Sequence, residues 1–438
     1  MYGYCRRIVR SRVSTPLLAV GALCLSAAAA GAQLAQASAS TLGLAGNHTA
    51  TVRGFGAISA NPAGLAMPGS GFSLALAPLQ VRAGLAPVSF GEIFFDHGGK
   101  EILGPTKEAW LARLSEAGGE SGSAGFDATA LALTLGSFGF QISTIGSVNL
   151  NLPRDVAEAY LYGNAGRTGS ATDLALANAR IEGFAATTVG VSYGTRIGPS
   201  SVGATAKYTR GHVMALGYTV GGAFETDPAL LFTLAFPMLA TCAEPETSGC
   251  TQDFVDGGSG FGLDVGWMID LPALSLGASV TNLINTFAWD TDKLGFRHGT
   301  ALFEAAGTET DFDEVAYASA PESLRAAVEA MTFEPRLQLG AALDLSPDFT
   351  VSADIHRSLV DGGIELAPRT HAGVGAEFRG LRLLHVRGGF AAVTGGVQYG
   401  GGASIVLGPV NLSAALAARK GSERDMVLGQ LVLSFGNR

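Results

Sequence analysis

Residues 336–345 read Arg336-Leu337-Gln338-Leu339-Gly340-Ala341-Ala342-Leu343-Asp344-Leu345. Successive side chains of a strand point to opposite faces, so one face is Leu337, Leu339, Ala341, Leu343 and Leu345. The other is Arg336, Gln338, Gly340, Ala342 and Asp344. The alternation returns at 349–356, where Phe349, Val351, Ala353 and Ile355 oppose Thr350, Ser352, Asp354 and His356. It returns again at 370–379 and 410–419. A soluble sandwich packs large apolar groups on its inner face and turns the polar face outward. Here the polar face is built of Gly, Ser, Thr and paired charges, and the strands reach about ten residues, the span of a tilted transmembrane strand. The pattern predicts an all-β fold: an antiparallel transmembrane β-barrel whose apolar side faces lipid.

The N-terminus points the same way. Arg6, Arg7, Arg10 and Arg12 precede an apolar run over 17–30, followed by small residues suited to cleavage after Ala32 or Ala37. The first forty residues hold no acid, and residues 1–37 read as a secretory signal peptide. A twin-arginine signal is poorly matched beyond Arg6 and Arg7, and Leu23 before Cys24 is too large for a lipoprotein cleavage site.

Composition narrows the class. Hydrophobic residues make up 47% of the chain and mean hydropathy is +0.30, yet past the signal no apolar stretch reaches the ~18 residues of a membrane helix. High average hydropathy without a long apolar segment is what transmembrane strands produce. Removing the four signal arginines takes the net charge from −9 to −13, so no basic surface for nucleic acid is expected. Cys242 and Cys250, in a polar segment, are expected to form one disulfide in an oxidising compartment. No cofactor or metal is expected.

Alternation and turn residues place about fourteen strands near 71–82, 125–135, 137–150, 182–197, 201–213, 260–271 and 274–286, then 335–345, 349–359, 369–379, 382–391, 395–408, 410–419 and 426–436. Short and long connections alternate, as periplasmic turns and extracellular loops do, with both chain ends in the periplasm. Within the loops, 106–117 carries Trp110, Leu111 and Leu114 at helical spacing. Pro153 opens a second helix over 154–162 that Gly163 closes. The apolar loop segment 229–240 reads as a helix packed over the barrel mouth, or as a landing site for an apolar ligand through Leu230, Leu231, Phe232 and Phe236. The last strand, with Phe435 near its end, resembles the signal read by the outer-membrane barrel assembly machinery.

Residues 43–70, before the first strand, are too rich in Gly and Ala to be read as a helix, and Asn61-Pro62-Ala63 is a turn signal. In this setting the chain resembles the FadL-type outer-membrane transporters of long-chain fatty acids and aromatic hydrocarbons, and uncharacterised relatives of them. The resemblance is architectural over nearly the whole chain and specific over 43–66. It implies a hatch at 38–70, with Asn61, Pro62 and Ala63 holding it inside a barrel formed by 71–438. It also implies a bacterial outer-membrane location and passive uptake of a hydrophobic small molecule, fatty acid or hydrocarbon-like. Outer-membrane lipid and lipopolysaccharide are expected neighbours, and a monomer is expected. The alternative is an accessory barrel that conducts nothing and binds a partner protein through its long loops.

Catalytic readings find little. Asp354 and His356 share an inward face, but no serine nucleophile motif surrounds them. His371, Glu377, Arg379, His385 and Arg387 also face inward and read as a salt-bridge ladder; alternatively Arg379, His385 or Arg387 meets a ligand carboxylate. The acidic run 308–314 reads as a solvated loop. No enzyme is expected.

Overall fold

The computed structural model describes residues 33–69, 71–162, 174–175, 177–225, 231–241, 257–304, 307–311, 313–360, 363–364, 366–422 and 424–436. The signal-like segment through residue 32, Leu230, Cys242 and Cys250 lie outside them.

Fourteen wall strands form the barrel. In chain order they are β1 Phe72–Ala86, β2 Glu120–Leu135, β3 Phe138–Leu152, β4 Arg180–Ile197, β5 Ser200–Tyr218, β6 Gly258–Asp270 and β7 Leu274–Asn285. The second half comprises β8 Arg336–Ser346, β9 Phe349–Ser358, β10 Thr370–Leu381, β11 Leu384–Val393, β12 Gly396–Leu407, β13 Val410–Gly421 and β14 Asp425–Gly436. Each pairs antiparallel with the next, and β14 returns to β1 from Ser73↔Gly436 to Leu85↔Asp425. The ring is closed, which leaves no wall edge unpaired in the apolar layer.

The alternation of 336–345 holds in three dimensions. Leu339, Leu343 and Leu345 are exposed outward, whereas Gln338 and Ala342 are buried. The same outward row runs around the barrel through Val81, Val191, Phe261, Ile355, Val374, Leu416 and Val427. Aromatic pairs mark its two rims: Phe138 with Tyr193 beside one tight turn, and Tyr208 with Phe261 and Phe390 with Tyr399 toward the loops. Two-residue turns at 136–137, 198–199, 347–348, 382–383 and 408–409 gather at one end, with the three-residue 271–273. The long connections lie at the other.

The loops depart from expectation in places. Helix α3 (Gly104–Ala117) starts with Pro105 in its first turn, stops at Gly118 with φ 80°, and buries Trp110, Leu111 and Leu114. It packs with α4 (Arg154–Tyr162), and both helices form where the sequence places them; Gly163 lies outside the described residues. The described part of segment 229–240 is not a helix: Leu231–Ala235 and Met238–Thr241 are strands. Pro237 lacks the amide a helix needs and disfavours α geometry at Phe236, while Gly221–Glu225 and Thr300–Glu304 flank Leu231–Ala235 and satisfy its backbone. Helix α5 (Glu322–Ala330), unread in the sequence, buries Leu324 and Val328.

Segment 33–69 does contain helix, contrary to the reading of 43–70: α1 (Ala39–Gly43), α2 (Ala57–Ala60) and tight turns at Gly54–Gly56 and Pro62–Ala66. Each is about one turn long. Alanine is a strong helix former, and burial on all sides supplies what so short a helix lacks.

Candidate functional site

The segment 33–69, which cleavage after Ala32 would leave in full and cleavage after Ala37 would shorten by five residues, is bonded to the wall all around the ring: 38–69 through β1 and β5 to β11, and Ala35 and Gln36 through β3 and β14. A buried chain that touches a closed ring on so many sides lies inside it. It is a plug.

Its attachment is polar and directional. The Asn61 side chain accepts from Ala63 N at 3.3 Å and donates to the Thr49 carbonyl at 3.1 Å and the Trp267 carbonyl at 3.3 Å. Pro62, next in line, starts the Pro62–Ala66 turn that Asn61 caps. Ser201 donates to the Ala63 carbonyl at 2.9 Å, Thr205 to Ile58 at 3.0 Å and Ser279 to Ala60 at 3.0 Å. Farther round the ring, on β9, one oxygen of Asp354 accepts from His48 N (3.0 Å), Thr49 N (2.8 Å) and Thr49 Oγ1 (2.6 Å). Burial holds the His48 imidazole below its ordinary pKa, against the opposing pull of Asp354.

Glycine makes the close approach possible. Gly203, Gly266, Gly277, Gly340, Gly389 and Gly400 face inward on six different strands, and a Cβ at any of them would overlap the plug. At Gly266 the collision would be with Asn61 Oδ1, and at Gly389 with the Leu44 carbonyl. The wall is carved to the plug's backbone.

Above the plug, on the long-loop side, lies an apolar roof. Phe184, Met214, Leu216, Leu239, Phe287, Trp289, Phe296, Leu324, Val328 and Phe333 form one buried cluster that reaches down to Ala35 of the plug. Phe333 meets Phe184 and Phe287 with ring centroids 5.9 and 5.8 Å apart. Between roof and plug is a cavity of about 200 Å³, lined on one side by Phe333, Ile364 and Leu366 and on the other by Gln338, His356 and His371. The two imidazoles stack at 4.4 Å. A polar cavity of about 370 Å³ lies toward the tight turns, and Thr41 and His48 of the plug line both spaces.

The structure sorts the candidate residues. Arg387 pairs with Glu377 at 3.2 Å and donates to Ser40 and Ser404, both at 2.6 Å. Arg379 faces Glu377 at 3.8 Å and donates to Thr350 at 2.7 Å. His385 is buried. Arg379 and Arg387 belong to the ladder of ion pairs, with Arg387 also fastening the plug. Leu231 and Phe232 lie on a loop strand, and Phe236 donates its backbone amide to Gly299 at 2.7 Å.

Two features escaped the sequence reading. Lys207 and Asp264, on adjoining strands, form a fully buried pair at 2.5 Å, with Asn282 beside them. Their inward parity on β5 and β6 was the available signal. The other is Asp354 as the plug's anchor, which depends on where residues 306 positions away arrive.

Comparisons with known proteins agree with this geometry. The toluene transporter TbuX of Ralstonia pickettii superposes with a TM-score of 0.52 at 14% identity, over 93% of this chain and 98% of that one. The fold is that of the FadL-type barrels. A FadL homologue of Pseudomonas aeruginosa gives 0.50 at 11% identity over 93% and 100% of the two chains, and a TodX monoaromatic hydrocarbon channel variant 0.51 at 13% over 92% and 99%. Residues 68–284 match DUF5723, a family of unknown function. No curated protein matches the sequence.

Proposed function

We propose that this barrel sits in a bacterial outer membrane and carries hydrophobic small molecules across it passively, fatty acid or hydrocarbon-like in kind. The observation that carries the reading is a FadL-type ring whose lumen keeps a cavity on either side of an internal plug. Uptake of this kind needs no chemistry, only a dry path and a barrier to free leakage. The apolar roof and Phe333 offer apolar contact at the outer side, and the plug with Asn61, Pro62 and Ala63 is the barrier. That the fold neighbours TbuX and TodX are named as toluene and monoaromatic hydrocarbon proteins supports the substrate class.

A second reading draws on the roof itself. A mouth filled by packed Phe287, Trp289 and Phe296 also suits an accessory barrel that conducts nothing and presents its loops to a partner protein.

Vesicles carrying the purified protein separate the two. Radiolabelled toluene and a fatty acid should enter faster than into empty vesicles, and deleting residues 43–70 should raise leakage of small polar solutes. Unchanged uptake and leakage in a deletion variant that still assembles its barrel would leave only the accessory role.

A further inference from the structure

Two bonds satisfy the small-residue pattern of signal cleavage. Ala30 and Ala32 flank Gly31 before Gln33, and Ala35 and Ala37 flank Gln36 before Ser38. The five residues between these bonds, 33–37, distinguish them, because a leader is discarded while a plug must fit its wall. Those five fit. Leu34, Ala35 and Ala37 are each at most 2% exposed. Leu34 shares a buried cluster with Val52, Ile58 and Leu65 of the plug, and its Cδ1 occupies the space that a Cβ on Gly190 of β4 would fill. Ala35 belongs to the roof cluster, and Ala37 to a buried cluster with Ala132 of β2 and Val432 of β14.

The polar groups of 33–37 are matched as closely. On β3, Ala35 is held by both its backbone groups: its N donates to Ser143 Oγ at 3.1 Å, and its carbonyl accepts from Gln141 Nε2 at 2.7 Å. Gln430 of β14 donates to the Gln36 carbonyl at 2.7 Å, while the Gln36 side chain reaches the Ser59 carbonyl at 3.2 Å. On β7, Asn282 donates to Gln33 Oε1 at 2.8 Å. Gln141, Ser143 and Gln430 are buried, so cleavage after Ala37 would strip three buried polar side chains of these partners. We infer that the secretory signal peptidase cuts between Ala32 and Gln33, and that 33–37 stays as a strap tying the roof-side end of the plug to β3, β7 and β14. Hydrolysis of that bond consumes one water, leaving a carboxylate on Ala32 and an α-amino group on Gln33. Gln33, Leu34, Ala35 and Gln36 line the cavity beneath the roof, so the new terminus lies at that cavity's floor. Processing here is independent of what the barrel carries.

The full chain, expressed with its own leader in a Gram-negative host and purified from the outer membrane, supplies the test. Mass spectrometry of its N-terminal peptide should show a start at Gln33. A start at Ser38, or at any other residue, overturns the processing site. The strap is tested by deleting 33–37, which joins Ala32 to Ser38 and keeps Ala30 and Ala32 before the cut. The variant's barrel should keep its heat-dependent mobility, and leakage of a small polar solute from vesicles should rise severalfold. Leu34→Ala and Gln430→Leu keep the chain length and should each raise leakage by less. They also decide the matter if the deletion does not assemble: leakage equal to that of the unaltered protein in both point variants overturns the strap.

Discussion

The plug and the roof close the same lumen by opposite physics. The plug is keyed: Asn61, Ser201, Thr205, Ser279 and Asp354 each make bonds of fixed direction, and wall glycines receive its backbone. The roof is poured: Phe287, Phe296, Met214 and Phe333 touch in many ways, none of which fixes a direction. A keyed element has one good position and loses most of its hold when it shifts. A packed apolar element keeps contact through small displacements, because dispersion and burial are not directional. The element suited to yield to a ligand is therefore the roof, with the plug as the fixed floor.

The largest effect is expected at the plug's anchor. Asp354→Leu removes the acceptor of three donors at once and leaves them buried, at about 1–3 kcal/mol for each unsatisfied group. The barrel should still form, but single-channel conductance should rise sharply and trypsin should cut at Arg53. Asp354→Asn keeps an acceptor and should give a milder version. If both variants stay closed and resist trypsin, the plug is not held by its keys and the contrast with the roof collapses.

Phe333→Ala comes next. Truncating a fully buried aromatic costs about 3–5 kcal/mol in ordinary cores. Spread through a cluster with no directed bonds, that loss should loosen the roof without moving the plug. Hydrogen exchange should quicken across 322–333 and stay unchanged across 39–66. Exchange that quickens equally in both would show that roof and plug form one cooperative unit.

How these two regions stood in the sequence differs for the same reason. Wall strands were legible because lipid on one side and polar lumen on the other impose a period of two, and all fourteen appear within a few residues of their expected places. The Asn61-Pro62-Ala63 turn was legible because Asn capping and Pro geometry are local. The partners of that turn were not: Thr49 meets Asn61 only when the plug has folded back on itself, and Trp267 only when the wall surrounds it. The roof left almost no trace, since its members come from β4, β5, two loops and α5, and nothing local distinguishes Phe333 from any other loop phenylalanine. The helix expected over 229–240 failed on the same ground, because its apolar residues find strand partners far along the chain.

A smaller effect sharpens the idea of sockets. Gly266→Leu and Gly389→Leu place a side chain where the plug's Asn61 and Leu44 lie, at the cost of about 1–3 kcal/mol typical of overpacking. Gly401, also a wall glycine, has open space around its Cβ position, so Gly401→Leu is the control. Leakage of a small polar solute from vesicles should rise for the first two and not for the third. Equal leakage in all three would mean that glycine serves wall curvature alone.

The smallest effect lies outside the lumen, in the loop helices, and asks whether charge at the surface holds anything at all. Arg113 bonds Glu92 at 2.7 and 3.2 Å, and those hydrogen bonds hold the Glu92 carboxyl below its ordinary pKa of 4.5, with burial opposing. A carboxyl depressed in the folded state adds stability that is complete above its unfolded pKa and is lost as pH falls through the folded one. Both partners are about a third exposed, so solvent screening limits the gain to about 0.2–1 kcal/mol. Hydrogen exchange in α3 should therefore rise modestly as pH falls below about 4.5, after correction for its intrinsic pH dependence. Arg113→Gln should remove that rise and leave the packing of Trp110 and Leu114 intact. A loss of α3 protection in Arg113→Gln at neutral pH larger than this range would place the loop module with the plug, keyed by its polar bonds, and no longer with the roof.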